Sequence, residues 1–131
     1  MSPWRFSRFA AELGLAVEAA GPGHARIRCP WRDGFGNMIG VAHGGVVVSV
    51  MDSACGIALT AAPDGTRGAG RVVTVSLTVN FLAPFRAGDA LVAEARAEGG
   101  GRKLVTARVE CRREDGTPVA LGQGVFRRLD G

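Results

Sequence analysis

The sequence predicts an α+β fold: a five- to six-stranded antiparallel sheet wrapped around one long central helix, with a short N-terminal helix. Three observations carry that prediction. Residues 71–81, 89–98 and 103–113 alternate side chains face by face, the period of a half-buried strand. The breaks between the later segments, Gly99-Gly100-Gly101 and Asp115-Gly116, are too short for crossover helices, so this half is an antiparallel meander. One segment, Gly44 to Ala62, is long and apolar with a single charge; a sheet that curls about it buries it on most sides. At 131 residues, the chain suffices for one domain, residues 1–131, with a sizeable core.

Taken in order, Pro3 to Leu13 reads as the short helix, with Trp4, Phe6 and Phe9 as its apolar residues. Two extended pieces follow, Leu15 to Ala20 and His24 to Cys29, joined by the turn Gly21-Pro22-Gly23. A glycine-rich loop runs from Asp33 to about Gly40. Within Gly44 to Ala62 the valines favour a strand, but some 18 residues without a turn signal exceed the usual strand length. Helical spacing instead sorts them sensibly. Val47, Val50, Ala54, Ile57 and Ala61 make a core face, and Gly45, Ser49, Asp52 and Gly56 make a small-residue face around one carboxylate. From Arg71 to Phe81 the alternation is unbroken, with Val73, Val75, Leu77, Val79 and Phe81 opposite Thr74, Ser76, Thr78 and Asn80. The last strand is Thr117 to Arg128.

Composition narrows the function classes. Hydrophobic residues are 47% and charged residues 21%, which argues against disorder. Sixteen Lys+Arg against twelve Asp+Glu give +4, nearly all of it arginine, since Lys103 is the only lysine. No basic run exceeds Arg112-Arg113 or Arg127-Arg128, and tyrosine is absent; a nucleic-acid binder is expected to show a basic stripe or stacking aromatics. Gly34 to Met51 lacks charge but contains Asn37, His43, Ser49 and five glycines, a poor membrane span. Three cysteines (Cys29, Cys55, Cys111) form no CxxC motif and read as reduced buried thiols. A soluble cytoplasmic protein, with no metal, cofactor, nucleic acid or membrane partner, is expected.

Asp52 stands out chemically. It lies midway along a helix with no other charge, and no Lys or Arg stands at i±3 or i±4. An unpaired buried carboxylate costs several kcal/mol, so Asp52 faces a crevice or a partner chain. His43-Gly44-Gly45 opens the same helix, where glycines let a ligand approach and free N–H groups attract negative charge. This suits polarisation of a carbonyl, and Asn37 in the preceding loop can add its side-chain amide. Gly44 and Asp52 are eight residues, or roughly 12 Å, apart on one helix, whereas reacting atoms must approach to about 3 Å. If both act on one centre, they come from two chains of a homodimer.

Asn37, His43-Gly44-Gly45, and Asp52-Ser53-Ala54 beginning nine residues after the histidine resemble the hotdog-fold acyl-CoA thioesterases of the PaaI (phenylacetate degradation) type. Thr74-Val75-Ser76-Leu77-Thr78-Val79-Asn80-Phe81-Leu82-Ala83-Pro84 is similar to that family's strand leading into a proline turn. Gly88-Asp89, Gly101-Arg102 and Asp115-Gly116 fall at its later hairpins. The resemblance covers about Leu13 to Phe126. It implies homodimers that pair into homotetramers, and cofactor-free, metal-free hydrolysis of a small or medium acyl-CoA, aryl groups included. By motif position, Asp52 is the nucleophile or general base, supplied by the opposite subunit, and the Gly44 region polarises the thioester carbonyl. Asn37 and His43 assist at the carbonyl and the leaving thiolate, while Thr74 matches a strand hydroxyl that positions water. Gly45 and Ser49 line the substrate face, and Arg71, Arg86 or Arg102 are candidates to meet the CoA phosphates. Two other readings stand beside this one: an acyl-CoA sensor or carrier without catalysis, and an interaction scaffold without ligand.

Overall fold

The computed structural model describes Trp4 and residues 6–129. Its elements are α1 (Arg8–Leu13), β1 (Ala16–Gly21), β2 (His24–Pro30), a 3-10 turn (Asp33–Phe35), α2 (Gly44–Thr60), β3 (Val72–Phe81), β4 (Ala90–Gly100), β5 (Leu104–Arg113) and β6 (Pro118–Arg128). The strands form one six-stranded sheet in the order β1-β2-β4-β5-β6-β3, every pair antiparallel. Helix α2 packs against all six, so the sheet curves around it as expected.

Close approach is achieved by small residues on the concave face. Ala93, Ala95 and Ala107 are fully buried there. At Gly122 of β6 an added Cβ would lie 2.8 Å from Met51 Cε and 2.9 Å from the Thr78 carbonyl oxygen, so only glycine lets the helix sit this close. Val50, Met51, Ala54 and Cys55 are wholly buried as a result, each large side chain among them contributing about 1.5–3 kcal/mol. Tertiary burial thus overrides the strand preference of the valines in α2.

Three details differ from the sequence reading. Helix α1 starts at Arg8 rather than Pro3, because Ser7 caps it by accepting the Ala10 N–H at 3.2 Å; Pro3 itself lies outside the described residues. Trp4 and Phe6 reach the core from non-helical chain, while Phe9 is 61% exposed. The glycine break falls later than expected, since Gly99 and Gly100 still belong to β4. The third difference concerns β3. Its alternation is not unbroken, because Thr74 pairs with Phe126 and Ser76 with Val125, leaving Val75 as a bulge. Val73 therefore shares the outer face with Ser76, and Thr74 turns inward, opposite the buried Phe126.

All three cysteines are free and buried. Burial pushes the thiol of Cys29 up to about 11 and those of Cys55 and Cys111 up to about 12. At pH 8 a thiol reagent is expected to modify none of them until denaturant is added. The linkage sign follows: unfolded thiols ionise from about 9, while the folded ones stay protonated. Stability is therefore complete below pH 9 and falls as pH rises toward 11–12. With no tyrosine and one lysine, few other groups titrate there, so denaturant midpoints at pH 8 and pH 10 check this directly.

Candidate active site

The sheet leaves one side of α2 open. Gly45 is exposed, and Ser49, Asp52 and Gly56 are half-buried, which is the small-residue face read from the sequence; Ser53 beside them is half-buried too. Ser49 spends its hydroxyl hydrogen on the Gly45 carbonyl at 2.7 Å, so it is not poised as a nucleophile. Asp52 accepts a 2.6 Å hydrogen bond on Oδ1 from Thr74 Oγ1. Among the described residues, Oδ2 receives no hydrogen bond and no Arg or Lys forms an ion pair with the carboxylate. The charge of Asp52 also helps hold the Cys55 thiol up, second to burial.

The Thr74 contact depends on the β3 bulge. Continued alternation from Leu77, which pairs with Gly124, would set Val75 across from Phe126 and turn Thr74 to the outer face. The extra residue reverses this and brings the hydroxyl to the carboxylate.

At the head of α2, His43 is the N-cap, and its Nδ1 accepts the Gly45 N–H at 2.8 Å. An added Cβ at Gly45 would press to 2.9 Å from that nitrogen. The bond makes Nδ1 an acceptor, so the neutral ring carries its proton on Nε2. The Val46 N–H goes to the His43 carbonyl at 2.9 Å. Among the described residues the Gly44 N–H has no acceptor, leaving it as the unspent donor of the first turn. Phe81 borders it, with a Cβ at Gly44 falling 3.3 Å from the ring.

Asn37 knits the preceding loop. Its Oδ1 accepts from the Ile39 and Val41 N–H groups at 3.0 and 3.2 Å, and its Nδ2 amide has no acceptor among the described residues. Asn37, His43, Gly44 and Gly45 thus gather at the helix start, while Asp52 and Thr74 meet midway along it. Along the helix, Gly44 and Asp52 are roughly 12 Å apart, so the two groups do not meet within one chain.

The arginines divide similarly. Arg86 is exposed beside the Asn37 loop, where it forms an isolated bridge with Val41. Arg71 lies at the other end of α2, lining a cleft of about 290 Å³ with Gly56, Thr60 and Arg67. Arg102 falls in the β4–β5 turn, apart from both. A larger cleft of about 690 Å³, lined by Phe9, Leu13, Phe35, Val46 and Arg32, opens beside His43, Gly45 and Ser49. Sequence reasoning missed this role for Phe9, which it names only as an apolar residue of the short helix, and for Arg32, which docks α1 by donating to the Glu12 carbonyl at 2.7 Å.

The family model for the thioesterase superfamily matches residues 39–120, a span that includes α2, Asp52 and Thr74. The chain belongs to the thioesterase superfamily. A Deinococcus radiodurans protein named "Putative esterase" is 34% identical over 123 residues, covering 93% of this chain and 80% of that protein. The E. coli PaaI protein from the phenylacetic acid degradation operon superposes with TM-score 0.86 at 26% identity, over 95% of this chain and 86% of that one. A Streptococcus pneumoniae hypothetical thioesterase solved with coenzyme A shares the fold, with TM-score 0.77 and 19% identity over 88% and 85% of the two chains. This thioesterase is accordingly a thioester hydrolase with the hotdog architecture, and no helix among its described residues is long and apolar enough to cross a membrane.

Proposed function

We propose that this thioesterase hydrolyses a small or medium acyl-CoA, aryl acyl groups included, to the free acid and CoA, and that its site lies between the two chains of a homodimer. The observation that carries the reading is Asp52. It is a carboxylate on an otherwise uncharged helix, hydrogen-bonded by Thr74 on one oxygen and open on the other, facing the side of α2 that the sheet leaves uncovered. The acyl-CoA class is supported by superfamily membership and by the likeness to a protein of a phenylacetic acid degradation operon.

In this reading the thioester oxygen sits against the Gly44 N–H of one chain and the partner's Asp52 reaches the carbonyl carbon. Oδ2 either attacks it, expelling the CoA thiolate and leaving a mixed anhydride that water cleaves, or takes a proton from an attacking water. The Thr74 bond fixes Oδ1 and leaves Oδ2 for the reaction. His43 Nε2–H and Asn37 Nδ2 are the donors for the carbonyl and the departing sulfur. A second copy is favoured by the free edge of β3, which among the described residues pairs only with β6 and exposes Val73, Val75 and Phe81, with Leu82 exposed just beyond it. The family resemblance extends this to pairing of two dimers into a homotetramer, and Arg71 and Arg86 remain the candidates for the CoA phosphates.

Thiol release from a panel of aryl, short-chain and long-chain acyl-CoAs tests the reading, with sedimentation reporting the oligomer. Turnover by a dimer is expected. Tight acyl-CoA binding without thiol release would instead establish a sensor or carrier. His43→Asn separates two roles of that residue. Asparagine is among the best N-caps, so thermal stability should hold, while loss of the outward Nε2–H lowers kcat by about 100-fold, the lower end for a proton donor. Unchanged kcat would reduce His43 to a cap.

A further inference from the structure

The proposed polarising donor, the Gly44 N–H, follows directly on two backbone hydrogen bonds that come from irregular chain. The Ala42 N–H donates to the Phe85 carbonyl at 2.8 Å, and the His43 N–H donates to the Phe35 carbonyl at 2.8 Å. The His43 bond, with the Asn37 N–H to Val41 carbonyl bond at 2.7 Å, sets Gly36 opposite Ala42 as an isolated bridge. Phe35 belongs to the 3-10 turn and Phe85 to the β3–β4 connection, so no continuous ladder holds either carbonyl in place. Their rings do. Trp31 stacks edge-to-face on both, at centroid distances of 6.0 Å to Phe35 and 5.3 Å to Phe85, and the two phenyl rings lie 6.3 Å apart. Phe85 is 1% exposed and Phe35 6%. The same indole also covers Gly36, where an added Cβ would meet its six-membered ring at 3.7 Å. The backbone of Trp31 is itself tied down, its main-chain N–H donating to the Asp89 carbonyl at 3.0 Å.

One side chain therefore touches all three positions that hold Ala42 and His43. Resting on the reading that the Gly44 N–H polarises the thioester carbonyl, we propose that Trp31 is a positioning residue that aims this N–H through Phe35, Gly36 and Phe85 without touching substrate. A misplacement of about 1 Å at such a donor costs on the order of 100-fold in rate, and the indole lines neither of the two clefts beside α2.

Trp31→Leu and Trp31→Phe test this together. The leucine variant removes the ring edges and is expected to lower kcat by about 10- to 100-fold with KM little changed; the phenylalanine variant keeps an aromatic edge and should recover most of the loss. Amide hydrogen exchange gives a second readout. In the leucine variant exchange should accelerate at Ala42 and His43 while Ala93 and Val109 in the sheet stay as protected as before. A leucine variant with wild-type kcat, a loss that phenylalanine does not recover, or acceleration spread over the sheet overturns the proposal. If the wild-type protein cleaves no acyl-CoA, the functional reading fails instead. Exchange then decides alone: acceleration confined to Ala42 and His43 upholds the clamp, and unchanged exchange there refutes it.

Discussion

Asp52→Asn is expected to lower kcat and kcat/KM together by about 1,000-fold, within the range for loss of a nucleophile or general base. The substitution is nearly isosteric, and its side-chain carbonyl can still accept the Thr74 hydrogen bond that Oδ1 accepts now. The negative charge is what disappears. With it goes any capacity to attack the thioester or take a proton from water. The site is half-buried on the open side of α2 and no Arg or Lys among the described residues pairs with it, so no partner charge is orphaned. Folding and dimerisation should therefore survive, as circular dichroism and sedimentation can verify. An Asp52→Asn enzyme that keeps most of its turnover on a substrate the wild type cleaves would remove Asp52 from the reaction.

Gly44→Pro should cost about 100- to 1,000-fold in kcat, the usual loss for one oxyanion-hole donor. Proline deletes the N–H and little else here. Gly44 is the first residue of α2, where proline is favoured because its missing N–H has no intrahelical partner. His43 has φ −55° and ψ 137°, the extended conformation that a residue before proline prefers. The tight contact is with the Phe81 ring at 3.3 Å, and that side chain is 54% exposed and free to yield. The variant should melt near the wild type while losing turnover.

Combining the two variants probes the shared site. In a mixed dimer of Asp52→Asn and Gly44→Pro chains, one site carries both defects. The other joins an intact Gly44 to the partner's Asp52 and is whole. Random mixing puts about half of all dimers in the mixed class, each with one working site, so roughly a quarter of wild-type activity should return from two nearly inactive proteins. Were each chain to build its site alone, mixing would restore nothing.

Much of the fold was legible because its signals are local. Alternation in 89–98 and 103–113 yielded β4 and β5 within two residues, and the small-residue face of 44–62 identified α2 against the strand preference of its valines. The isolation of Asp52 was visible too, since it needs only the neighbours along one helix. Thr74 is a different case. The alternation assigns it to the face away from the helix, and only the family resemblance marked it as a functional residue. Arg32 and Phe9 carried no signal at all, because a cleft wall is made by residues distant in sequence.

From sequence alone came the sheet-and-helix class, the helix start at His43-Gly44-Gly45 and a lone acid eight residues beyond Gly44, all set by period, propensity and charge over short spans. The tertiary structure decided that Val75 bulges and delivers Thr74 to Asp52, that the His43 ring takes the Gly45 N–H and leaves that of Gly44, and that Trp31 locks the approach to the helix. Each of these depends on the register between strands or on contact between separate loops. Such relations arise from the packing of the whole chain, and no local pattern of residues encodes them.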